Sequence, residues 1–427
     1  MSSLLISHCR LIDPKTKFDG TTDILVQGNK ISRIDDHITA RDAQVIDAQG
    51  MIAVPGLIDL HCHLRDPGRP DEETIESGCS AALSGGFTSI CCMPNTDPPI
   101  DNEGIVNYVL REAQRVGLCR VFVIAAITKK REGREISEFG ELVRAGVKAF
   151  SDDGDSVYDA GVLRHALEYS KTFGVPIFEH CLDQDLSHGG LMNESIISTR
   201  LGLAGSPSIA EDIMVARDLI LAHFTGARLH ICHVSSKGAV GLIRRAKKEG
   251  IKVTAETCPQ YFTFSDTLLE TYDTNYKVNP PIRTEDDRQA VIAGLKDGTI
   301  DVIATDHAPH TQAEKELEFA SVPFGMTGLE TALSMTITEL ITKENFTWID
   351  VLQKMTINPA RVIGEDLGVI KPGAMADITV IEPSKRWRLT EERIRSRSRN
   401  TPYLNRELTG CPAYVIINGE IKYRGGA

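Results

Sequence analysis

Between Gly56 and Asp306 the chain repeats one pattern: a short run of apolar and β-branched residues, then a longer stretch in which apolar positions recur every three or four residues. Eight apolar runs can be placed, at residues 57–63, 87–93, 120–127, 147–150, 175–180, 228–233, 251–256 and 300–306. Helical periodicity occupies much of the space between them, at 74–84, 104–115, 161–172, 209–222, 239–248 and 285–295. Runs of that length bounded by turn residues read as buried strands, and the periodic intervals as amphipathic helices. Eight such alternations predict an α/β fold, a (β/α)8 TIM barrel, and not an open doubly wound sheet, which typically has fewer strands.

The flanks break the pattern. Residues 1–55 hold short strand-like pieces at 4–7, 22–27, 30–34 and 44–47, and residues 371–427 resemble them at 377–381 and at 413–418, which Gly419 follows. Neither flank alone makes a comfortable core, so the two ends are expected to meet in one small β-sandwich beside a barrel formed by 56–370. A chain of 427 residues suits a large barrel with such an appended unit.

Charge narrows the partners. With 47 Lys and Arg against 59 Asp and Glu, the net charge of −12 offers no electrostatic basis for a nucleic acid or an anionic membrane. The one basic run, 393–399, is short and interrupted and reads as a solvated face. The ten cysteines are scattered, with Cys91, Cys92, Cys119 and Cys232 inside apolar runs where cysteine acts as a small hydrophobe. With no Cys-x-x-Cys pair, secretory signal or apolar run of about 18 residues, a reduced, cytoplasmic setting is expected.

Chemistry concentrates at the ends of the predicted strands. Side chains alternate faces along a strand, so His61 and His63 point the same way and can share a metal ion, with Arg65 just beyond them. The fourth run leads into Asp152-Asp153-Gly154, the fifth ends in Glu179-His180, the sixth in Cys232-His233 and the eighth in Thr305-Asp306-His307. A lone His180 or His233 would read as a hydrogen-bonded core histidine, and a lone Asp306 as a helix cap. Their convergence at one end of the barrel strands points instead to hydrolytic zinc, held by four His and two Asp, with room for two ions if one carboxylate bridges them.

Four segments then carry a resemblance: 61–68 (His-Cys-His-Leu-Arg-Asp-Pro-Gly), 93–96 (Met-Pro-Asn-Thr), 304–310 (Ala-Thr-Asp-His-Ala-Pro-His) and 323–325 (Pro-Phe-Gly). Together they resemble the dihydroorotases of the amidohydrolase superfamily, and 373–378 resembles that superfamily's C-terminal return to the sandwich. Carried over residue by residue, the resemblance implies that His61, His63 and Asp306 hold one metal and His180 and His233 a second, with Asp153 bridging. Many relatives bridge with a carboxylated lysine, for which Lys148 is the candidate, but Asp-Asp-Gly resembles the branch that uses aspartate. Arg65, Asn95 and His310 would meet the substrate carboxylate, Asn279 and the backbone at Phe324 and Gly325 the ring, and His63 would border the substrate too. Asp306 would act as general base and then general acid.

The implied reaction is the zinc-dependent, reversible hydrolysis of (S)-dihydroorotate to N-carbamoyl-L-aspartate, whose reverse is the third step of pyrimidine biosynthesis. One or two zinc ions per chain are implied, with two the expectation. A homodimer and an association with aspartate transcarbamoylase, which makes the carbamoyl aspartate consumed, are the partnerships it suggests. The rivals are another cyclic amidase (hydantoinase, dihydropyrimidinase or allantoinase), which shares the metal set but has no need of Arg65, and a non-catalytic scaffold, which would lack ligands. Residues 311–321, rich in Glu and Lys, read either as a mobile lid or as an exposed loop or short helix.

Overall fold

The computed structural model describes residues 3–425. Eight parallel strands form one sheet: β1 (Leu57–Cys62), β2 (Phe87–Cys92), β3 (Arg120–Ala125), β4 (Ala149–Ser151), β5 (Ile177–Glu179), β6 (Leu229–Ile231), β7 (Val253–Thr257) and β8 (Val302–Ile303). Each is followed by helix, including Ile75–Ser84, Glu103–Val116, Ala160–Phe173, Ile209–Thr225, Lys237–Lys248 and Glu285–Asp297. Local chemistry sets where several of these helices begin: Thr74, Asn102, Asp159, Ser236 and Thr284 each accept a backbone N–H of the first turn on a side-chain oxygen.

Alternation along the strands divides the core. Ile58, Leu60, Cys91, Met93, Phe122, Ile124, Phe178, Val302 and Ala304 share one apolar cluster drawn from strands around the ring. Leu57, Phe87, Ile90, Val121, Val123, Ile177 and Leu229 belong to a larger cluster that includes the helices' buried faces. This is the two-sided burial of a parallel barrel.

The ring is completed between β8 and β1 by a narrow seam. Cys62 bridges to His307, and His63 donates its backbone N–H to the His307 carbonyl at 2.9 Å. Lower in the seam the fully buried Asp59 accepts the Thr305 backbone N–H at 2.8 Å on one oxygen and the Thr305 hydroxyl at 2.7 Å on the other.

The two ends of the chain meet in a second, mixed sheet. Across it run Glu420–Arg424, Glu407–Ile417, Ile378–Arg388, Ile52–Pro55, Ser3–Asp13, Phe18–Gln27 and Lys30–Asp35, and Gln44–Asp47 pairs with Ser3–Asp13 off this path. Ile6, Ile24, Val26, Ile31, Ile378, Val380 and Ile416 form its own core. Asn418 and Gly419, both at positive φ, make the two-residue turn that pairs Ile417 with Glu420. Arg120 ties this sheet to the barrel through Asp377 at 2.7 Å and Asn418 at 3.1 Å. No helix among the described residues is long and apolar enough to cross a membrane, and all ten cysteines are free, nine of them buried.

Asp59→Ala should cost about 1–3 kcal/mol, because it leaves the buried Thr305 N–H without an acceptor and the Thr305 hydroxyl with only the His61 carbonyl at 3.2 Å. Urea unfolding of parent and variant measures this, and a loss below about 0.5 kcal/mol, the range of an ordinary surface change, would show that the seam does not depend on Asp59.

Candidate active site

The site lies where the strands end at their C-terminal side. On β1 the pairing register slips between Asp59 and Cys62. Across that slip the apolar positions pass from the inner cluster (Ile58, Leu60) to the outer one (Cys62, Leu64), which leaves His61 and His63 facing the barrel mouth. Three residues of the site leave the extended region: Arg65, His233 and Asp306 have φ of +56°, +35° and +47°. Side chains other than glycine occupy that region at a cost, and such residues concentrate at functional sites. This is also why β6 and β8 stop short of the predicted limits at 233 and 306.

Asp153 is the centre of the cluster. Its Oδ1 lies 3.2 Å from His61 Nε2, 3.5 Å from His233 Nε2 and 3.8 Å from His180 Nδ1, and its Oδ2 lies 3.6 Å from His63 Nε2. Asp306 Oδ1 stands 3.2 Å from His63 Nε2 and 3.6 Å from His61 Nε2. His180 Nδ1 and His233 Nε2 face each other at 2.9 Å. The neighbouring Asp152 turns away and accepts the Thr128 backbone N–H and hydroxyl. Lys148 is remote, at the start of β4, and pairs with Glu365 at 2.6 Å.

Outer partners fix which ring nitrogens point inward. His61 Nδ1 donates to Glu256 Oε1 at 2.7 Å and His63 Nδ1 to Asn95 Oδ1 at 2.7 Å, so Nε2 of each is the nitrogen turned toward the carboxylates. Asn279 Nδ2 reaches His180 Nε2 at 3.3 Å. Burial pushes the Glu256 carboxyl up, but His61 and His230 outweigh it and hold it at about 2. Burial likewise opposes ionisation of Asp153, yet His61, His233 and His63 carry it well below the carboxylate range. Burial, with His233 alongside, pushes His180 down to about 3, keeping its ring neutral.

Buried polar atoms without a hydrogen-bond partner are uncommon and require a cause. His61 Nε2 and Asp153 Oδ1 are two such atoms, and they face each other at the heart of the cluster. Zinc binds nitrogen and oxygen at about 2.0–2.2 Å, so ligand atoms around a tetrahedral ion stand about 3.3 Å apart, close to the spacings seen here. Among the described residues, three groups that share His61 have ligand atoms within one ion's reach: His61, His63 and Asp306; His61, Asp153 and His233; and His61, Cys232 and Glu256. The donor set therefore fits a metal.

Beside the cluster opens a cavity of about 360 Å³ lined by His63, Arg65, Asn95, Asp153, Gly154, His180, His233, Asn279, Asp306, Ala308, His310 and Pro323 to Gly325. One wall is cationic. Arg65 Nε lies 3.1 Å from Glu72 and donates to the Pro309 carbonyl at 3.2 Å, while its Nη2 is 3.5 Å from His310 Nε2. Glu72 is thus the carboxylate behind Arg65, and it also meets His310 Nδ1 at 3.0 Å. Gly325, at φ +142°, admits no side chain: a Cβ would stand 2.9 Å from both His310 Nε2 and the Ala308 carbonyl.

All the residues expected at the site are thus gathered at one mouth. The sequence reading missed Glu256 and Glu72. Glu256 ends the seventh apolar run, and a carboxylate at a buried strand end was the available signal; nothing local marked Glu72. Residues 311–321 contain a short helix, Gln312–Lys315, capped by Thr311 and Glu314. The segment is held down by two buried amines: Lys315 Nζ donates to Pro323 and Gly325 carbonyls at 3.1 Å, and Lys277 Nζ to the Phe319 carbonyl at 2.7 Å.

Glu256→Ala should weaken metal retention about 10–100-fold, because it frees the His61 ring. Lys148→Ala should leave metal content unchanged. Metal analysis after dialysis against a graded chelator measures both, and loss of metal from the lysine variant would restore the carboxylated-lysine bridge.

The sequence profile of the amidohydrolase family matches residues 52–422. The chain is 47% identical over 423 residues to the dihydroorotase of Syntrophus aciditrophicus, covering 99% of each, and 46% identical over 424 residues to that of Aquifex aeolicus, covering 99% of this chain and 100% of the relative. Among solved structures it superposes on an L-hydantoinase (dihydropyrimidinase) from Arthrobacter aurescens with a TM-score of 0.89 at 24% identity, covering 100% of this chain and 97% of that one. A dihydropyrimidinase from Brevibacillus agri gives 0.85 at 23% identity, covering 99% and 95%. At those identities the structures establish a shared barrel and no more, whereas the full-length sequence matches are decisive: the chain belongs to the amidohydrolase family, in the group of its dihydroorotases.

Proposed function

We infer that the site hydrolyses, reversibly, the cyclic amide of (S)-dihydroorotate to N-carbamoyl-L-aspartate. The observation that carries this reading is the Arg65 guanidinium, with His310 against it, beside the His–Asp cluster, because a ring with a carboxylate needs both halves. Full-length similarity to proteins named dihydroorotase supports it. An uncharged cyclic amide, the substrate class of the hydantoinase reading, would offer no carboxylate to the Arg65 guanidinium, whose one anionic contact among the described residues would remain Glu72 behind it.

His61, His63, Asp153, His180, His233 and Asp306 are the residues that would hold zinc, two ions with Asp153 between them. Bound zinc would supply the Lewis acidity that activates water and polarises the amide carbonyl, both otherwise unreactive near neutral pH. Arg65 binds the ring carboxylate through its planar donors, with Asn95 and His310 beside it. Asn279 and the backbone at Phe324 and Gly325 orient the ring so that its amide carbon faces the cluster. As water adds to that carbon, Asp306 takes its proton on a carboxylate oxygen. When the ring C–N bond breaks, Asp306 returns the proton to the departing nitrogen, the second proton of the water leaves to solvent as the new acid ionises, and the products are the new carboxylate and the ureido group. His63, 3.2 Å from Asp306 Oδ1 and braced by Asn95, keeps that oxygen aimed at the reacting centre. The same residues in reverse order close the ring. As further parts of this reading, the protein acts in the cytoplasm on a small-molecule substrate, without nucleic acid or membrane, and a homodimer and an association with aspartate transcarbamoylase are the partnerships the family resemblance suggests.

Asp306→Asn should reduce kcat by about 10²–10⁴ through loss of the proton carrier. Dihydroorotate turnover by the metal-loaded variant measures it, and activity within a few fold of the parent removes Asp306 from the mechanism. Arg65→Met should lower kcat/KM for dihydroorotate by about tenfold to a few hundredfold with metal content unchanged, the worth of a charge-assisted pair. Steady-state assays with dihydroorotate and dihydrouracil decide between the readings: a parent enzyme preferring dihydrouracil would leave only the wider cyclic-amidase assignment.

A further inference from the structure

The basic run of the sequence alternates in the fold. Arg393, Arg395, Arg397 and Arg399 are exposed, and Ile394, Ser396, Ser398 and Asn400 are buried. The buried side of this extended segment reaches the active site from behind. Ser396 Oγ donates to Glu73, Arg397 N donates to Glu73 Oε1 at 3.0 Å, and Ser398 Oγ donates to the Glu72 carbonyl at 2.6 Å. Glu72 is the carboxylate that backs both Arg65 and His310.

Asn400 makes the closest link. It is 4% exposed and its amide is fully used. Nδ2 donates to the Ala308 carbonyl at 2.9 Å and to the Gly325 carbonyl at 3.2 Å, and Oδ1 accepts the His310 backbone N–H at 3.1 Å. The Asn400 carbonyl accepts Thr327 N–H at 2.9 Å. One side chain therefore clasps both ends of the 308–327 loop at its base, with His310 on one side and Phe324 and Gly325 on the other. None of these contacts is to the cavity itself, since Asn400 is not among its lining residues.

We propose that Asn400 is a positioning residue for the carboxylate-binding wall: it sets His310 and the Phe324–Gly325 backbone against each other, so the segment after the barrel determines how well the barrel recognises an anionic ring. The inference rests on the assignment of that wall to the substrate carboxylate. Its signature is chemical and not volumetric. Aspartate has nearly the shape of asparagine but offers no donor when ionised, and it would set a charged oxygen against two carbonyl oxygens. A packing role predicts that Asn400→Asp is mild and Asn400→Ala severe, whereas the clasp predicts that Asp is at least as damaging as Ala.

The test measures dihydroorotate and dihydrouracil hydrolysis, metal content and thermal unfolding for the parent, Asn400→Asp and Asn400→Ala. KM for dihydroorotate should rise about tenfold or more in both variants, the equivalent of one or two hydrogen bonds, with kcat reduced less than about threefold and metal content unchanged. The preference for dihydroorotate over dihydrouracil should fall with it. If Asn400→Ala does not fold, the isosteric Asn400→Asp carries the test alone. A KM for dihydroorotate within twofold of the parent in Asn400→Asp overturns the inference and leaves the dihydroorotate reading standing. A parent enzyme that fails to act on dihydroorotate overturns both.

Discussion

Burying two carboxylates at the mouth of the barrel is the constraint around which this site is built. Asp153 and Asp306 are taken out of water next to a third acid, Glu256, and isolated carboxylates in such a place would protonate. Four imidazoles answer that cost, and their orientation is not free. Glu256 holds Nδ1 of His61, Asn95 Nδ1 of His63 and Asn279 Nε2 of His180, so the remaining nitrogens converge on Asp153 and Asp306, where Asp153 Oδ1 has no hydrogen-bond partner. The arrangement makes chemical sense with cations at its centre, and each outer partner matters because a rotated ring would bury an unpaired nitrogen instead.

Next to this negative cluster lies a wall of opposite character. Arg65 is held by Glu72 and the Pro309 carbonyl, with His310 against it. Two zones of opposite charge a few ångströms apart suit a substrate that carries both a scissile amide and a carboxylate. The superposed hydantoinase structures show that the barrel does not settle this point, since one fold serves many ring substrates. The discrimination lies in side chains beyond the strand ends, such as Arg65 and His310, and not in the barrel itself.

Loops in turn need a rigid frame. Arg65, His233 and Asp306 sit at positive φ, a conformation that persists only where the surroundings over-determine it. The seam through Asp59 and Thr305 flanks Asp306, and the backbone bond from His63 to His307 ties the two ligand-bearing strand ends together. The segment 393–400 adds a brace from outside the barrel, arriving after the Ile378–Arg388 strand of the terminal sheet. The terminal sheet therefore delivers chain to the active site as well as joining the two ends.

How much of this was legible in the chain follows from the range of the forces involved. Strand and helix patterns report which face is buried, a property of neighbouring residues, so the eight alternations, the two strand-rich flanks and the strand-end positions of His61, His63, His180, His233 and Asp306 could be read locally. The specific segments around Arg65, Asn95, Asp306 and Phe324 carried the family resemblance. Contacts between residues far apart in sequence could not be read. Only the folded chain turns Asp153 to the histidines and Asp152 to Thr128, sends Lys148 to Glu365 at the other end of its strand, and sets Glu256 behind His61 and Glu72 behind Arg65. The run 393–399 makes the same point: its composition reports a solvated basic face, which its arginines are, but the serines between them and Asn400 after them meet partners some 70 to 330 residues away. Sequence determined which residues could do the chemistry, because periodicity and residue type are local. Tertiary structure alone decided which oxygen meets which nitrogen, because hydrogen bonds and the cost of buried charge depend on distances that only closure of the barrel sets.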